Sequence, residues 1–191
     1  TITGPRAAEY GQKTQSKVEE HEYPSGNKVT KAWLDEDFTF FNKRGRRMRV
    51  IDESSLDEVG YMTVKWRIQK NRQNGQGLKI EADHDHPDLC PVRNAMRLVL
   101  RKIRLKHSLS RPLAIFVNNK GEIKYLTADK VKEVLRAAAR RAHPDWTDEM
   151  INKISAHSIR VFACVLLHEA GRDPTFIKKR LRWLGDSYLL Y

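Results

Sequence analysis

The sequence predicts an α+β fold that is mostly helical and carries a small antiparallel three-stranded sheet near its front. Two observations predict this class. Segments rich in β-branched and aromatic residues lie before residue 90, and apolar residues with helical spacing follow it. The 191 residues can bury one sizeable core, so we expect a single domain over residues 1–191.

The front of the chain is predicted to begin with a short helix over residues 5–18. A loop at EYPSGN follows, because Pro24 and Gly26 break regular structure. The segments DFTFFN and RRMRVID flank residues 43–45 as the two strands of a hairpin would. YMTVKWRI and GLKIEAD are the next predicted strands, and the turn-forming NRQNGQG separates them.

Four helices are predicted after residue 90. Their segments are PVRNAMRLVLRKIRLKH, ADKVKEVLRAAARRA, AHSIRVFACVLLHEAG and TFIKKRLRWL. Thr127 is the expected N-cap of the second helix, and Gly171 can close the third in a left-handed C-cap. Asp173 and Pro174 supply an N-cap and a first-turn proline for the fourth.

The third of these helices brings a histidine and an arginine together. His157 and Arg160 are three residues apart, so their side chains project side by side. The apolar residues with helical spacing are Ile159, Phe162, Ala163 and Leu166. We place that stripe on the opposite side of the helix, so both polar side chains are expected to point away from its core face.

The charge of the chain points to a polyanionic partner. There are 36 Lys and Arg against 24 Asp and Glu, which gives a net charge of +12 and a pI of about 9.8. Nucleic acid is the favoured partner, and a membrane surface is the weaker alternative. The helix after residue 90 is especially basic and is either a solvated face or a phosphate-binding one. Its cations are Arg93, Arg97, Arg101, Lys102, Arg104 and Lys106.

Several classes of protein are disfavoured. No apolar run is long enough for a membrane span, and TITGPRAAEY lacks the features of a signal peptide, so we expect a soluble intracellular protein. Cys90 and Cys164 are too few for a disulfide framework. His84, His86 and Cys90 lie close in sequence, but their spacing fits no common zinc pattern. We therefore expect neither a metal nor a cofactor.

Two segments carry a family resemblance. AHSIRVFACVLLHEAG resembles the H-x-x-R segment of tyrosine recombinases, the phage-integrase-like DNA strand-exchange enzymes that include the crypton branch of eukaryotic mobile elements. TGPRAAE resembles the T-G-x-R-x-x-E motif of the family, in which the first catalytic arginine begins a helix. The resemblance maps that motif onto Arg6 and Glu9.

Three further features follow in the order of the family. WRIQKNRQNGQGLKI resembles the β-hairpin that carries the catalytic lysine, which would be Lys70, with Lys79 as second choice. Trp183 stands at the His or Trp position that follows the H-x-x-R segment. RWLGDSYLLY resembles the crypton-type ending, which makes Tyr191 the candidate nucleophile and Tyr188 the alternative.

The resemblance implies roles that agree with the chemistry of the side chains. Arg6 and Arg160 would clamp the non-bridging oxygens of a phosphodiester, because planar guanidinium groups bind such oxygens bidentately. His157 would donate to the phosphate or shuttle a proton, and Lys70 would protonate the leaving 5′ oxygen. Trp183 would supply packing and an indole N–H, and Glu9 would hold Arg6 in place.

Each of these residues also has a simpler interpretation. Arg6 and Glu9 could form an ordinary ion pair on a helix surface, worth only a few tenths of a kcal/mol. Lys70 could be a solvated lysine in a hairpin, and Trp183 could be plain core packing. The joint occurrence of the motifs in the family order favours the catalytic interpretation.

The predicted function is site-specific DNA recombination through a 3′-phosphotyrosyl intermediate. A type IB topoisomerase and a domesticated, non-catalytic DNA-binding module are the alternatives. Relatives in the family have further helices and a DNA-clamping domain before the first arginine, and a tail after the tyrosine, so we expect part of a larger protein. The expected partner is double-stranded DNA, bound by a tetramer of the full-length protein or by a monomer of this piece. The expected location is the nucleus of a eukaryote, or the cytoplasm and nucleoid of a prokaryote.

Overall fold

The computed structural model describes residues 5–68, 74–108, 110–183, 185 and 189. These residues form an α+β fold with small antiparallel sheets, as predicted. The helices are α1 (Ala7–Tyr10), α2 (Ser55–Glu58), α3 (Pro91–Arg104), α4 (Ala128–Ala142), α5 (Asp148–Lys153), α6 (Ser158–Glu169) and α7 (Pro174–Leu181). The strands are β1 (Glu20–Glu22), β2 (Lys28–Thr30), β3 (Phe38–Asn42), β4 (Val59–Lys65), β5 (Gly77–Glu81), β6 (Ile115–Val117) and β7 (Ile123–Tyr125).

The central sheet has the order β3-β4-β5, and both pairings are antiparallel. Alternate residues of its strands, among them Phe40, Met62 and Ile80, are buried. They share one core with the apolar face of α3, which contributes Met96 and Leu100. The predicted three-stranded antiparallel sheet is therefore confirmed, and it packs on the first long helix.

Two predictions for the front of the chain are wrong. The helix expected over residues 5–18 is a single turn, because the chain turns away at Gly11 and the Gln12 amide donates to the Leu126 carbonyl at 2.8 Å. RRMRVID is not a strand. It follows β3 only as far as Met48, whose amide donates to the Phe40 carbonyl at 2.9 Å, and the chain then leaves the sheet toward α2.

The predicted long helices are confirmed, and so are their caps. The Thr127 side chain accepts from the Lys130 amide at 3.1 Å, and the Asp173 side chain accepts from the Phe176 amide at 3.0 Å. Gly171 has a φ of 67°, the left-handed conformation expected of a C-cap glycine. Hairpins β1–β2 and β6–β7 and the short helices α2 and α5 were not predicted.

Lys102 is a correction to the predicted basic face of α3. Its side chain is fully buried (0% exposed), and its Nζ donates to Asp35 Oδ2 at 2.7 Å and to the Arg111 carbonyl at 2.5 Å. A buried ammonium is tolerated when a carboxylate and further hydrogen bonds replace its hydration. Lys102 therefore ties α3 to the turn before β3 and is withdrawn from the exposed cations.

Within the described ranges, every helix is too short or too polar to cross a membrane.

Candidate active site

The orientation of α6 differs from the prediction. Arg160 is only 3% exposed and shares the buried face with Ala163 and Cys164, whereas Phe162 is 58% exposed. The expectation that Arg160 points away from the core face of the helix is therefore wrong, and so is the assignment of Phe162 to that face. The physical reason is α7, whose apolar residues Ile177 and Leu181 cover a side of α6 that includes Ala163 and Cys164 but not Phe162.

Arg160 is buried because its guanidinium group has partners there. Its Nη2 donates to the Leu181 carbonyl at the end of α7, and its guanidinium carbon lies 4.8 Å from the centroid of a Trp183 ring. Trp183 is half-buried and packs against the cluster formed by α6 and α7. Both contacts hold the guanidinium plane in one orientation, which a clamp on a phosphate group requires.

His157 lies at the start of the same helix and is exposed. Its amide donates to Ser155 Oγ at 3.2 Å, and the Ser155 amide donates to Ser158 Oγ at 3.0 Å, so the turn that carries the histidine is fixed locally. His157 is therefore positioned one turn before Arg160 with its side chain on the surface. An exposed imidazole there can reach a ligand as large as a nucleic acid.

The N-terminal motif forms a buried cluster rather than a surface pair. Glu9 is 4% exposed and accepts from the Arg6 amide at 2.7 Å and from Arg6 Nη1 at 3.3 Å. Its Oε2 also accepts from Arg182 Nη2 at 2.7 Å. Glu9 therefore holds two arginines, and the simple surface ion pair considered for Arg6 and Glu9 does not describe it.

Arg182 is a component that the sequence did not reveal. It caps α7 in the left-handed conformation, with a φ of 58°, and is 6% exposed. Its guanidinium carbon lies 3.5 Å from the centroid of a Trp66 ring, immediately after β4. Burial lowers the pKa of Arg182, and the charge of Glu9 opposes that effect. No local pattern marks this residue, apart from its place next to Trp183.

Three consecutive residues connect these clusters. The Leu181 carbonyl binds Arg160, Arg182 binds Glu9, and Trp183 stacks on Arg160. The segment that follows α7 therefore joins the N-terminal motif to the H-x-x-R helix, although the two are far apart in sequence. Of the residues predicted from the family resemblance, this brings together Arg6, Glu9, Arg160 and Trp183.

Strand β5 also reaches this region. Arg180 Nη1 donates to the Lys79 carbonyl at 3.4 Å. The side chain of Lys79 is exposed, pairs with Glu81 at 2.6 Å and lies 4.1 Å from the centroid of the Tyr61 ring. The hydrogen bond to Glu81 raises the pKa of Lys79.

Lys70, Tyr188 and Tyr191 lie outside the described residues.

The predicted DNA-binding arginines of α3 have different surroundings. Arg93 Nε donates to the Leu56 carbonyl at 2.7 Å and its Nη2 pairs with Asp57, so it fastens α2 to α3. Arg97 pairs with Asp88 at 3.3 Å, and Arg104 pairs with Glu53. Arg101 is exposed and has no ion pair in the described part of the chain. Their role in DNA binding stays a prediction.

The histidine and cysteine cluster before α3 has a structural explanation. Cys90 is buried and caps the helix, with its Sγ accepting from the Asp83 amide at 3.2 Å and from the Arg93 amide at 3.4 Å. His86 Nδ1 lies 3.3 Å from Asp83 Oδ2. Among the described residues, no three histidine, cysteine or acidic side chains are grouped as metal ligands would be.

Replacing Glu9 by glutamine is expected to lower the free energy of unfolding by about 3–5 kcal/mol, the cost of removing one partner of a buried charge pair. The substitution leaves Arg182 buried against Trp66 without a countercharge. Urea denaturation measures the loss. The control is Glu149→Gln, which breaks an exposed pair with Lys153 and is expected to change stability by less than about 0.5 kcal/mol. Equal effects of the two variants would contradict the buried role of Glu9.

No known protein family, curated protein or solved structure matches this chain. Its function is therefore inferred from its own residues and their arrangement.

Proposed function

We propose that this chain is the catalytic core of a DNA strand-cleaving and rejoining enzyme of the tyrosine recombinase type, as in phage integrases and cryptons. One observation carries the proposal. The segments that resemble the first arginine motif and the H-x-x-R motif meet at residues 181–183, where Glu9 holds Arg6 and Trp183 stacks on Arg160. Glu9 binds both Arg6 and Arg182, and the residues on either side of Arg182 hold Arg160, so the supports of the two predicted arginines are adjacent.

The proposed reaction is a transesterification. The hydroxyl of Tyr191 attacks the scissile phosphorus, a P–O bond to the tyrosine forms, and the P–O5′ bond breaks. The hydroxyl proton leaves to a base or water near His157, and Lys70 gives a proton to the departing 5′ oxygen. Rejoining is the same sequence in reverse, because the phosphotyrosine bond conserves the energy of the phosphodiester.

The arginines supply the electrostatic part of this mechanism. Negative charge develops on the non-bridging oxygens in the transition state, and fixed guanidinium donors stabilise that charge without reorganising. Arg160 is held by the Leu181 carbonyl and Trp183, and Arg6 is held by Glu9. Preorganised donors of this kind commonly account for the largest share of rate enhancement. The proposed partner is double-stranded DNA, and recombination would take place in a tetramer of the full-length protein.

The test uses a duplex nicked near the cleavage position, so that the short cleaved fragment diffuses away and the covalent protein–DNA species accumulates. The expected result is a species of reduced mobility on a denaturing gel that disappears after protease treatment. DNA binding without such a species on any substrate geometry would instead indicate a non-catalytic DNA-binding module. Relaxation of a supercoiled plasmid by the monomer would indicate a topoisomerase.

A further inference from the structure

The turn after β3 carries the densest group of exposed cations in the described chain. We call residues 43–49 the basic loop. Five of its seven residues are cationic and exposed: Lys43, Arg44, Arg46, Arg47 and Arg49. Nothing in the candidate active site uses them.

These cations stand without acidic partners. Within the described ranges, none of the five forms an ion pair with a carboxylate. Asp57 and Glu58 border the loop, and Asp57 is already paired with Arg93. Several exposed cations elsewhere have such partners, although Arg101 has none among the described residues. Examples are Lys28 with Glu22, Lys132 with Asp129, Arg140 with Asp148 and Lys153 with Glu149. The concentration of uncompensated charge at one turn favours an external polyanion.

The backbone of the basic loop is fixed before any ligand arrives. Asn42 Oδ1 accepts from the amides of Arg44 at 3.0 Å and Arg46 at 2.9 Å, and the Asn42 amide donates to the Arg46 carbonyl at 2.9 Å. Gly45 has a φ of 75°, which a tight turn of this kind requires. Only side-chain ordering therefore opposes binding, so the entropic cost is small for a loop.

The surface next to the basic loop is compatible with an anionic ligand. Arg47 and Arg49 border a groove whose other wall is formed by Val99 and Ile103 of α3. Two carboxylates also reach this groove, and each has a cationic partner. Asp35 pairs with Lys102, and Glu36 pairs with Arg67, which also pairs with Asp37.

The basic loop lies at the opposite end of β4 from the candidate active site. It adjoins Val59, where the Lys43 amide donates to the Glu58 carbonyl at 3.0 Å, whereas Trp66 at the other end stacks on Arg182. The first and last of the seven residues of β4 are six steps apart, which is about 20 Å at roughly 3.3 Å per step. A DNA strand advances about 3.4 Å per nucleotide, so this distance corresponds to roughly six base pairs.

From these observations we infer that the basic loop binds the phosphate backbone of duplex DNA about six base pairs from the phosphate that is cleaved. The inference rests on the proposed function, because that function makes duplex DNA the ligand. Arginine forks bind phosphate oxygens bidentately without reading bases, so the contacts are independent of sequence. These contacts increase the affinity for DNA and fix the position of the protein along the duplex. The residues around Arg160 carry out the chemical step.

The experiment measures binding of a fluorescent 30-base-pair duplex by anisotropy over a range of salt concentrations. The loop variant carries Arg44→Gln, Arg46→Gln, Arg47→Gln and Arg49→Gln. Each phosphate contact contributes about 0.9 to the slope of log affinity against log salt, so the slope is expected to fall by about 3 to 4. Affinity at 0.1 M salt is expected to fall at least about tenfold. A second variant, Arg46→Gln with Arg49→Gln, is expected to lose about half as much slope.

The control removes the same charge from cations that have acidic partners. It carries Lys28→Gln, Lys132→Gln, Arg140→Gln and Lys153→Gln, and its slope is expected to stay within about 1 of the wild type. Equal losses in the loop and control variants would overturn the inference, because net charge alone would then explain them.

Two further outcomes separate this inference from the proposed function. If the wild type binds DNA and forms the covalent species, but the loop variant keeps the wild-type slope, the loop inference fails and the proposed function stands. If the wild type binds no duplex DNA, both fail. At saturating DNA, the loop variant is expected to form the covalent species at the wild-type rate, and a loss of that rate would place the loop in the chemistry instead.

Discussion

Replacing Arg160 by lysine is expected to lower the rate of covalent protein–DNA formation by about 100-fold or more. Lysine keeps the positive charge but cannot bind two phosphate oxygens through one planar group. Loss of a single preorganised donor to a developing negative charge commonly costs a factor of about 10²–10³ in rate. The defect should persist at saturating DNA, because it belongs to the transition state rather than to binding.

The structure adds a stability effect to this variant. A lysine at position 160 loses part of the contact with the Trp183 ring and the fixed hydrogen bond to the Leu181 carbonyl. Rates are therefore compared at a temperature where circular dichroism shows both proteins folded. Arg172→Lys is the matched control, because Arg172 lies in the loop between α6 and α7, with its guanidinium carbon 5.7 Å from the centroid of the Phe176 ring, and is exposed. If Arg160→Lys forms the covalent species at the rate of this control, Arg160 does not belong to the active site. Arg6→Lys is expected to be as defective as Arg160→Lys.

Local signals explain which elements the sequence predicted correctly. Helix α4 follows a threonine N-cap, and α7 follows an Asp-Pro start, so each boundary is specified by residues that lie next to it. From Met62 to its end, strand β4 alternates buried and less buried residues, which gives a two-residue period there. Strands β1 and β2 have only three residues each and are mostly polar, so no such period can develop.

The orientation of α6 shows where local periodicity fails. Counting apolar side chains placed Phe162 inside and Arg160 outside, since a guanidinium group normally stays in water. The carbonyl of Leu181 and the ring of Trp183 reverse this preference by satisfying Arg160 in the interior. Both partners come from the segment after α7, so the correct orientation depends on a long-range contact.

The sequence predicted residues of the candidate site but not the contacts that hold them in place. Arg6, Glu9, Arg160 and Trp183 were predicted from the family resemblance, and the structure gathers them around residues 181–183. Arg182 was missed because its role comes from Glu9 and Trp66, which are distant in sequence. The cations of the basic loop are visible in the sequence, but only the structure shows that none of them forms an ion pair with a described carboxylate.

Replacing Tyr191 by phenylalanine is expected to abolish the covalent protein–DNA species, because the substitution removes only the hydroxyl oxygen that would bond to phosphorus. A phenol with a pKa near 10 reacts at neutral pH only when it is positioned against a clamped phosphate, so one tyrosine should carry the reaction. Tyr191 is favoured because its distance from Trp183 is closer to that of the family nucleophile. The measurement counts the covalent species formed on the nicked duplex in a denaturing gel, and binding is measured separately by anisotropy.

The matched control for this substitution is Tyr188→Phe, which removes the same hydroxyl three residues earlier in SYLLY. We expect it to leave both the covalent species and DNA affinity at wild-type levels, whereas Tyr191→Phe should lose the species and keep the affinity. Loss of the species in Tyr188→Phe together with its survival in Tyr191→Phe would reverse the assignment of the nucleophile. If both variants still form the covalent species, neither hydroxyl forms the bond to phosphorus, because phenylalanine has no oxygen with which to attack it. Neither Tyr188 nor Tyr191 would then be the nucleophile.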